Sequence, residues 1–301
     1  MKNRSNIKVS ALLSALLTAG LCITASYAPS ASAIDFNPGD WVAAPPGTSL
    51  FLGYYQFTSF KDFYVNGSKI PGDNKLDANI GIVRPVHYFK LGDYTALSQA
   101  ILPFGKLEGK GDMSGLGDAT GISDLILSNA IWLKTGDTRH TNFGFAHYIW
   151  VPTGSYDKNE ALNLGENRWK WTLATGLAQG LTDKLSIDLA ADVTLFGNNN
   201  QYGPASKTLS EKPYYTAQTS LRYDVTPSTN VFVGYAYERG GEQSIDGVSQ
   251  DNEQKKSRFY VGGSSWVMPS VQIQAYYGQD INVENGFKEE NRFHLRLLKA
   301  F

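Results

Sequence analysis

The chain has 301 residues, 27 Lys and Arg against 28 Asp and Glu, a net charge of −1, 42% hydrophobic residues, 30 Gly and 17 Tyr. That balance lacks the basic excess of a nucleic-acid binder, and 13% aromatic content is too rich for a disordered tail. Mean hydropathy of −0.27 with a single long apolar run excludes a helical membrane protein, which leaves a soluble β-rich or α/β protein or a transmembrane β-barrel.

The single apolar run comes first. Lys2, Arg4 and Lys8 precede an apolar stretch from Ala11 to Ile23, and Ala31-Ser32-Ala33 supplies a small-residue cleavage pattern. Residues 1–33 are therefore expected to be a signal peptide cleaved after Ala33. Leu21 stands before Cys22 where a lipobox needs a small residue. Cleavage leaves 268 residues with net charge −4 and no Cys, so the exported chain is held by its core or by a closed hydrogen-bond network. Residues 34–47 read as an extended N-terminal linker and 48–301 as one domain.

From there on, segments of about ten residues alternate apolar and polar. Strands are expected over Ser49–Ser59, Leu76–Tyr88, Tyr94–Pro103, Gly121–Leu133, Thr141–Val151 and Trp169–Gln179. They continue over Leu185–Phe196, Pro213–Asp224, Asn230–Arg239, Ser257–Val267, Val271–Asp280 and Asn291–Phe301. Leu185, Ile187, Leu189, Ala191, Val193 and Leu195, with Ser186, Asp188, Ala190, Asp192 and Thr194 between them, show the period of two. Helical periodicity is nearly absent.

The connections alternate too. Brief turns at Lys90–Asp93, Lys134–Arg139, Thr182–Lys184, Thr226–Thr229 and Met268–Ser270 fall between long polar loops. The loops are Phe60–Lys75, Phe104–Thr120, Pro152–Arg168, Gly197–Lys212, Gly240–Lys256 and Ile281–Glu290. A soluble sandwich has no reason to sort its connections so. An outer-membrane barrel does, with short turns at the periplasmic rim and long loops outside. The expected fold is all-β: a transmembrane antiparallel meander barrel of about 12 strands.

One face of these strands carries Leu, Ile, Val, Ala and Tyr. The other carries charged residues, among them Asp188, Asp192, Arg222, Glu238, Arg292 and Arg296. Unpaired burial of that set would cost several kcal/mol per group, so these six are proposed to line a wet or salt-bridged lumen. The last strand places Phe293, Leu295, Leu297 and the terminal Phe301 on one face. This resembles the recognition strand that bacterial outer-membrane barrels present to the barrel-assembly machinery, with Lys299 departing from the pattern.

Chemistry is sparse. The glycines between Gly105 and Gly121 lack the strand–helix context of a phosphate loop, so a flexible outer loop is expected. The acidic residues of Glu242–Glu253 match no cation-binding spacing. No histidine is followed at the second position by the serine that a barrel phospholipase would need, and Asp188 and Asp192 stand about 13 Å apart along a strand, too far for a glycosidase pair. No catalytic residues, metal or cofactor are expected.

Two pieces stand out: Pro152-Thr153-Gly154-Ser155-Tyr156-Asp157 and Asn163-Leu164-Gly165-Glu166-Asn167-Arg168-Trp169, with Gly115-Leu116-Gly117-Asp118 before the fourth strand. Together with the barrel ending at Phe301 they resemble the MetA-pathway of phenol degradation family over roughly residues 48–301. The resemblance implies a transporter-like barrel in the outer-membrane bilayer, loosely associated with uptake of aromatic or other hydrophobic compounds. Pro152, Gly154, Asn163, Gly165, Asn167, Arg168 and Trp169 then bracket a loop that either folds into the barrel mouth or is pinned by a pair of turns. The expected function is passive uptake of a small aromatic or hydrophobic solute. The alternative is a non-transporting barrel acting structurally or through its loops.

Overall fold

The computed structural model describes residues 35–136 and 140–301; the signal peptide expected over 1–33 lies outside the described residues. Among those described, twelve long strands form one antiparallel meander. They are β1 (Ser49–Val65), β2 (Asn74–Leu91), β3 (Tyr94–Gly111), β4 (Leu125–Lys134), β5 (Asn142–Val151) and β6 (Lys170–Gly180). The second half is β7 (Leu185–Phe196), β8 (Tyr214–Thr226), β9 (Thr229–Gly240), β10 (Gln254–Met268), β11 (Val271–Val283) and β12 (Gly286–Ala300). Each pairs with its chain neighbour, and β12 returns to β1 from Leu50↔Ala300 to Tyr64↔Gly286, which closes the barrel. Closure removes the free edges that hydrocarbon would penalise group by group. No helix among the described residues is long and apolar enough to cross a membrane.

Alternation decides which face meets lipid. On β12, Phe293, Leu295 and Leu297 are 52%, 49% and 52% exposed, while the intervening His294 and Arg296 are 3% and 5% exposed. The same parity puts Leu173, Leu189, Leu221, Val233 and Val261 outside. Phe301 is exposed on the same outer side.

Three expectations needed correction. First, β1, β2 and β3 are 17, 18 and 18 residues long, so the first eight residues of the loop expected over Phe104–Thr120 are strand, up to Gly111. Apolar alternation reports only the part of a strand that faces lipid. Beyond it the hairpin pairs through polar side chains, as in Lys110 to Asp77 at 2.7 Å. Gly111, at φ +59°, makes the turn there. Second, the strand expected over Gly121–Leu133 is broken: Asp118–Ile122 pairs with the outer half of β3, and Leu125 begins the wall strand β4. Asp124, between them, turns inward and is 1% exposed. Third, residues 35–47 are not an extended linker. Residues 35–44 are folded inside the lumen, where Trp41 is 3% exposed, and 45–47 are exposed.

The β2–β3 ladder is paired on both sides of Arg84–Pro85 and Ala100–Ile101 but not across them. Pro85 has no N–H to give, though on its other side it still lies opposite Phe51. Inside, apolar packing forms two layers. One surrounds Trp41, Trp132, Tyr88 and Tyr148 near the short turns, and the other joins Phe60, Phe63, Leu76, Leu162 and Phe287 near the long loops.

Candidate functional site

The six residues expected on the inner wall are all placed there. Arg222 Nε donates to Asp188 Oδ2 at 2.6 Å, and Ser220 Oγ donates to the same oxygen at 3.1 Å. Glu238 accepts from Tyr214 Oη at 2.7 Å and lies 3.1 Å from Arg258. Arg292 holds Glu289 through two bonds of 2.6 and 2.8 Å. Asp192 faces Thr216 across the β7–β8 ladder, and Arg296 Nη2 donates to Gln272 Oε1 at 2.8 Å. Asp188 with Arg222, Glu238 with Arg258 and Glu289 with Arg292 are thus paired around the wall, which lowers the desolvation penalty of burying them, whereas Asp192 is in no ion pair among the described residues.

The N-terminal segment completes this network from within. Asp35 lies between Arg258 and Arg292, and its carboxylate bonds both. Asp40 accepts from Arg296 Nη1 at 2.7 Å and lies 3.4 Å from Arg84 Nη1. Gly39 N donates to Asp188 Oδ2 at 3.3 Å, and Gln218 Oε1 accepts from Phe36 N at 3.3 Å. The Trp41 carbonyl accepts from Trp132 Nε1 at 2.8 Å, and the two indoles meet edge to face at 6.2 Å. β6 makes room with Gly176, where a Cβ would overlap the Trp41 indole. The segment plugs the lumen at the end where the short turns lie.

At the other end, the loop between β5 and β6 folds into the mouth. Gly154 N and Glu166 N both donate to the Asp124 carboxylate, at 2.9 and 3.0 Å. Gly154 and Gly165 lie backbone to backbone, with no room for a Cβ on either. Asn163 ties the loop to itself through Asp157 and Glu160, and Asn167, at φ +53°, bonds Asn199. Pro152 is half-buried at the loop's start. Arg168 donates to Glu166 and Glu211 at 2.6 and 2.7 Å, and Lys170 also pairs with Glu166 and sits 3.8 Å over the Trp150 ring. Burial opposes a charge on Glu166, yet Lys170 and Arg168 hold its carboxyl down at about 2, whereas burial wins at Glu211 and raises it. Trp169 points outward and is exposed. The same contacts at Asp124 pin the loop, and Asn163, Leu164, Gly165 and Glu166 line the cavity beneath it.

Between plug and loop lies a chamber of about 340 Å3. One wall is apolar, with Ile80, Ile82, Ile101, Pro103 and Ile126. The opposite wall carries Glu238, Arg258, Glu289 and Arg292, and Asp35, Phe36 and Asp40 belong to its lining. Asp35, Asp40, Trp41, Arg84 and Arg258 escaped the sequence reading. For Arg84 the signal was present, because it shares parity with Ile80 and Ile82. For the plug, two aromatic residues and two Ala in ten positions were too apolar for a linker.

Histidine and serine do meet, across strands rather than along one. Ser49 Oγ lies 2.9 Å from His87 Nδ1, and Ser98 Oγ donates to Asn129 Oδ1 at 2.6 Å, with Asn129 Nδ2 3.3 Å from His147 Nε2. In the second chain the amide separates the hydroxyl from the imidazole, the wrong order for a relay. Two acids of the β9–β10 loop are engaged by cations, Glu242 by Lys212 and Glu253 by Arg239, while Asp246 accepts from Thr208 N and Asp251 from Ser249 Oγ.

The family model described as "Putative MetA-pathway of phenol degradation" matches residues 60–297. The crystal structure of the COG4313 outer membrane channel from Pseudomonas putida F1 is 36% identical at a TM-score of 0.86, over 89% of this chain and 100% of that one. The β domain of the Bordetella autotransporter BrkA shares the fold alone, at 9% identity and a TM-score of 0.51 over 85% of this chain and 100% of its own. Comparison with curated proteins returns no match. A closed twelve-stranded wall with a lipid-facing exterior, matched over nearly its whole length, shows that this chain belongs to the MetA-pathway of phenol degradation family of outer-membrane channel barrels.

Proposed function

We propose that the barrel is a gated passive channel for a small aromatic or hydrophobic solute. The chamber carries this reading. Its volume is in the range of small-molecule pockets, and its apolar wall of Ile80, Ile82, Ile101 and Ile126 offers a solute a dry face. The charged wall opposite suits a polar substituent. Solute enters past the inward loop and leaves when the N-terminal segment withdraws, so the plug makes the pathway conditional. The C-terminal face of Phe293, Leu295, Leu297 and Phe301 serves recognition by the barrel-assembly machinery on the way to the outer-membrane bilayer.

The test is block of the ion current through the refolded protein in planar bilayers, comparing benzyl alcohol with a sugar, because benzyl alcohol crosses lipid unaided. Selective block by benzyl alcohol is expected. The second reading, a barrel that does not transport, is favoured by the plug itself. It gains if neither probe blocks a current even when the plug is loosened by substitution.

A further inference from the structure

We infer that Arg84 and Arg296 form a carboxylate-binding site, which Asp40 occupies in the plugged state and for which an aromatic carboxylate competes. The inference rests on the channel reading and names its substrate class. The buried arginines of the lumen differ in what each would keep if the N-terminal segment withdrew. Arg222 would keep Asp188, Arg258 would keep Glu238 and Glu289, and Arg292 would keep Glu289. Among the described residues, Asp40 is the only carboxylate within 4 Å of either Arg84 or Arg296. Their remaining partners are neutral: Gln99 and Tyr54 for Arg84, and Gln272 for Arg296.

An unplugged lumen therefore holds two buried guanidiniums without a counter-charge, a state that an anion relieves. The occupant seen is a monocarboxylate, one oxygen toward each guanidinium at 2.7 and 3.4 Å. Asp40 is tethered to the backbone and takes only Nη1 of Arg296, while the buried Nε of Arg296 donates to nothing among the described residues. A free carboxylate can turn to take Nε and a terminal nitrogen side-on, the geometry guanidinium prefers. The same cavity continues past Arg84 to Ile82, Ile101, Ile126 and Tyr148. A ring attached to the carboxylate would lie on that wall. Binding and unplugging are then one exchange, the solute's carboxylate for that of Asp40.

Sodium benzoate and benzyl alcohol, alike except in charge, test this on the refolded chain carrying Cys22→Ser, so that no native thiol reacts. Binding is followed by titration calorimetry, and plug position by maleimide labelling of an Ala44→Cys variant. Benzoate is expected to increase labelling and benzyl alcohol is not. Asp40→Asn removes the competitor while keeping its shape, so benzoate affinity should rise about tenfold or more, well beyond any change for benzyl alcohol. A neutral triple variant, Asp40→Asn with Arg84→Gln and Arg296→Gln, leaves no charge unpaired and should lose benzoate binding while still admitting benzyl alcohol. Equal behaviour of the two probes in all variants overturns the carboxylate site and leaves the channel reading standing. Failure of both probes to bind or enter overturns both.

Discussion

Replacing Trp41 by Ala should unseat the plug while leaving the barrel wall intact. Trp41 is almost wholly buried, 6.2 Å edge to face from Trp132 and 5.3 Å from Phe36. Truncating a buried Trp to Ala costs about 3–5 kcal/mol. That loss falls on the docking equilibrium of residues 35–47, since no ladder hydrogen bond of the twelve strands involves Trp41. At about 1.4 kcal/mol per decade, the docked population falls by roughly 100- to 3,000-fold relative to the undocked one. Steady-state conductance in planar bilayers should rise accordingly, while the heat-induced gel shift of the folded barrel stays where it was. Trp41→Phe is the control. It keeps an aromatic ring and discards an indole N–H that has no partner among the described residues, so its cost should stay under about 1.5 kcal/mol. If Trp41→Ala conducts no more than the wild type, the indole is not what seats the segment, and the ion pairs of Asp35 and Asp40 hold it alone.

Three further outcomes follow from the same geometry. Gly176→Leu should open the channel like Trp41→Ala, because any side chain there overlaps the indole; combining the two should add little, a non-additivity visible in the same conductance assay. Asp124→Ala removes the acceptor of the Gly154 and Glu166 amides. At about 1.5–3 kcal/mol for each hydrogen bond to a charged group, the loop of residues 152–169 should become protease-sensitive while the thermal midpoint of the barrel barely moves, and Asp124→Asn should fall between. The Glu166 carboxyl is held at about 2 instead of its ordinary 4.5, so its contribution to loop closure is complete above pH 4.5 and is lost as pH falls through about 2. Protease protection of that loop should therefore fade across this acid window, and Glu166→Gln, weaker at neutral pH, should flatten the profile.

The wall was legible residue by residue because strand parity is a local property. Asp188, Asp192, Arg222, Glu238, Arg292 and Arg296 alternate with lipid-facing residues, and a period of two leaves one choice of side. Arg84 followed the same rule but sat alone among apolar neighbours. The loop motif was readable as two pieces bracketing a loop, but the close approach of Gly154 and Gly165 came only with the structure. The loop's direction was not readable either, since that depends on Asp124, thirty residues away and in a stretch read as continuous strand. The reading of the histidines tested offsets along one strand, whereas Ser49 and His87 meet across two.

By itself, the sequence determined a membrane-crossing wall: strand number, alternation, and the sorting of short and long connections all follow from backbone hydrogen bonding in a solvent that offers none. Whether the wall encloses an open path was decided only in three dimensions. Asp35, Asp40 and Trp41 become a plug because closure brings Arg84, Gly176, Arg258, Arg292 and Arg296, from four different strands, around one short segment. Those contacts span up to 257 positions of chain, and a pattern of neighbours cannot encode which distant charges will face one another across a lumen.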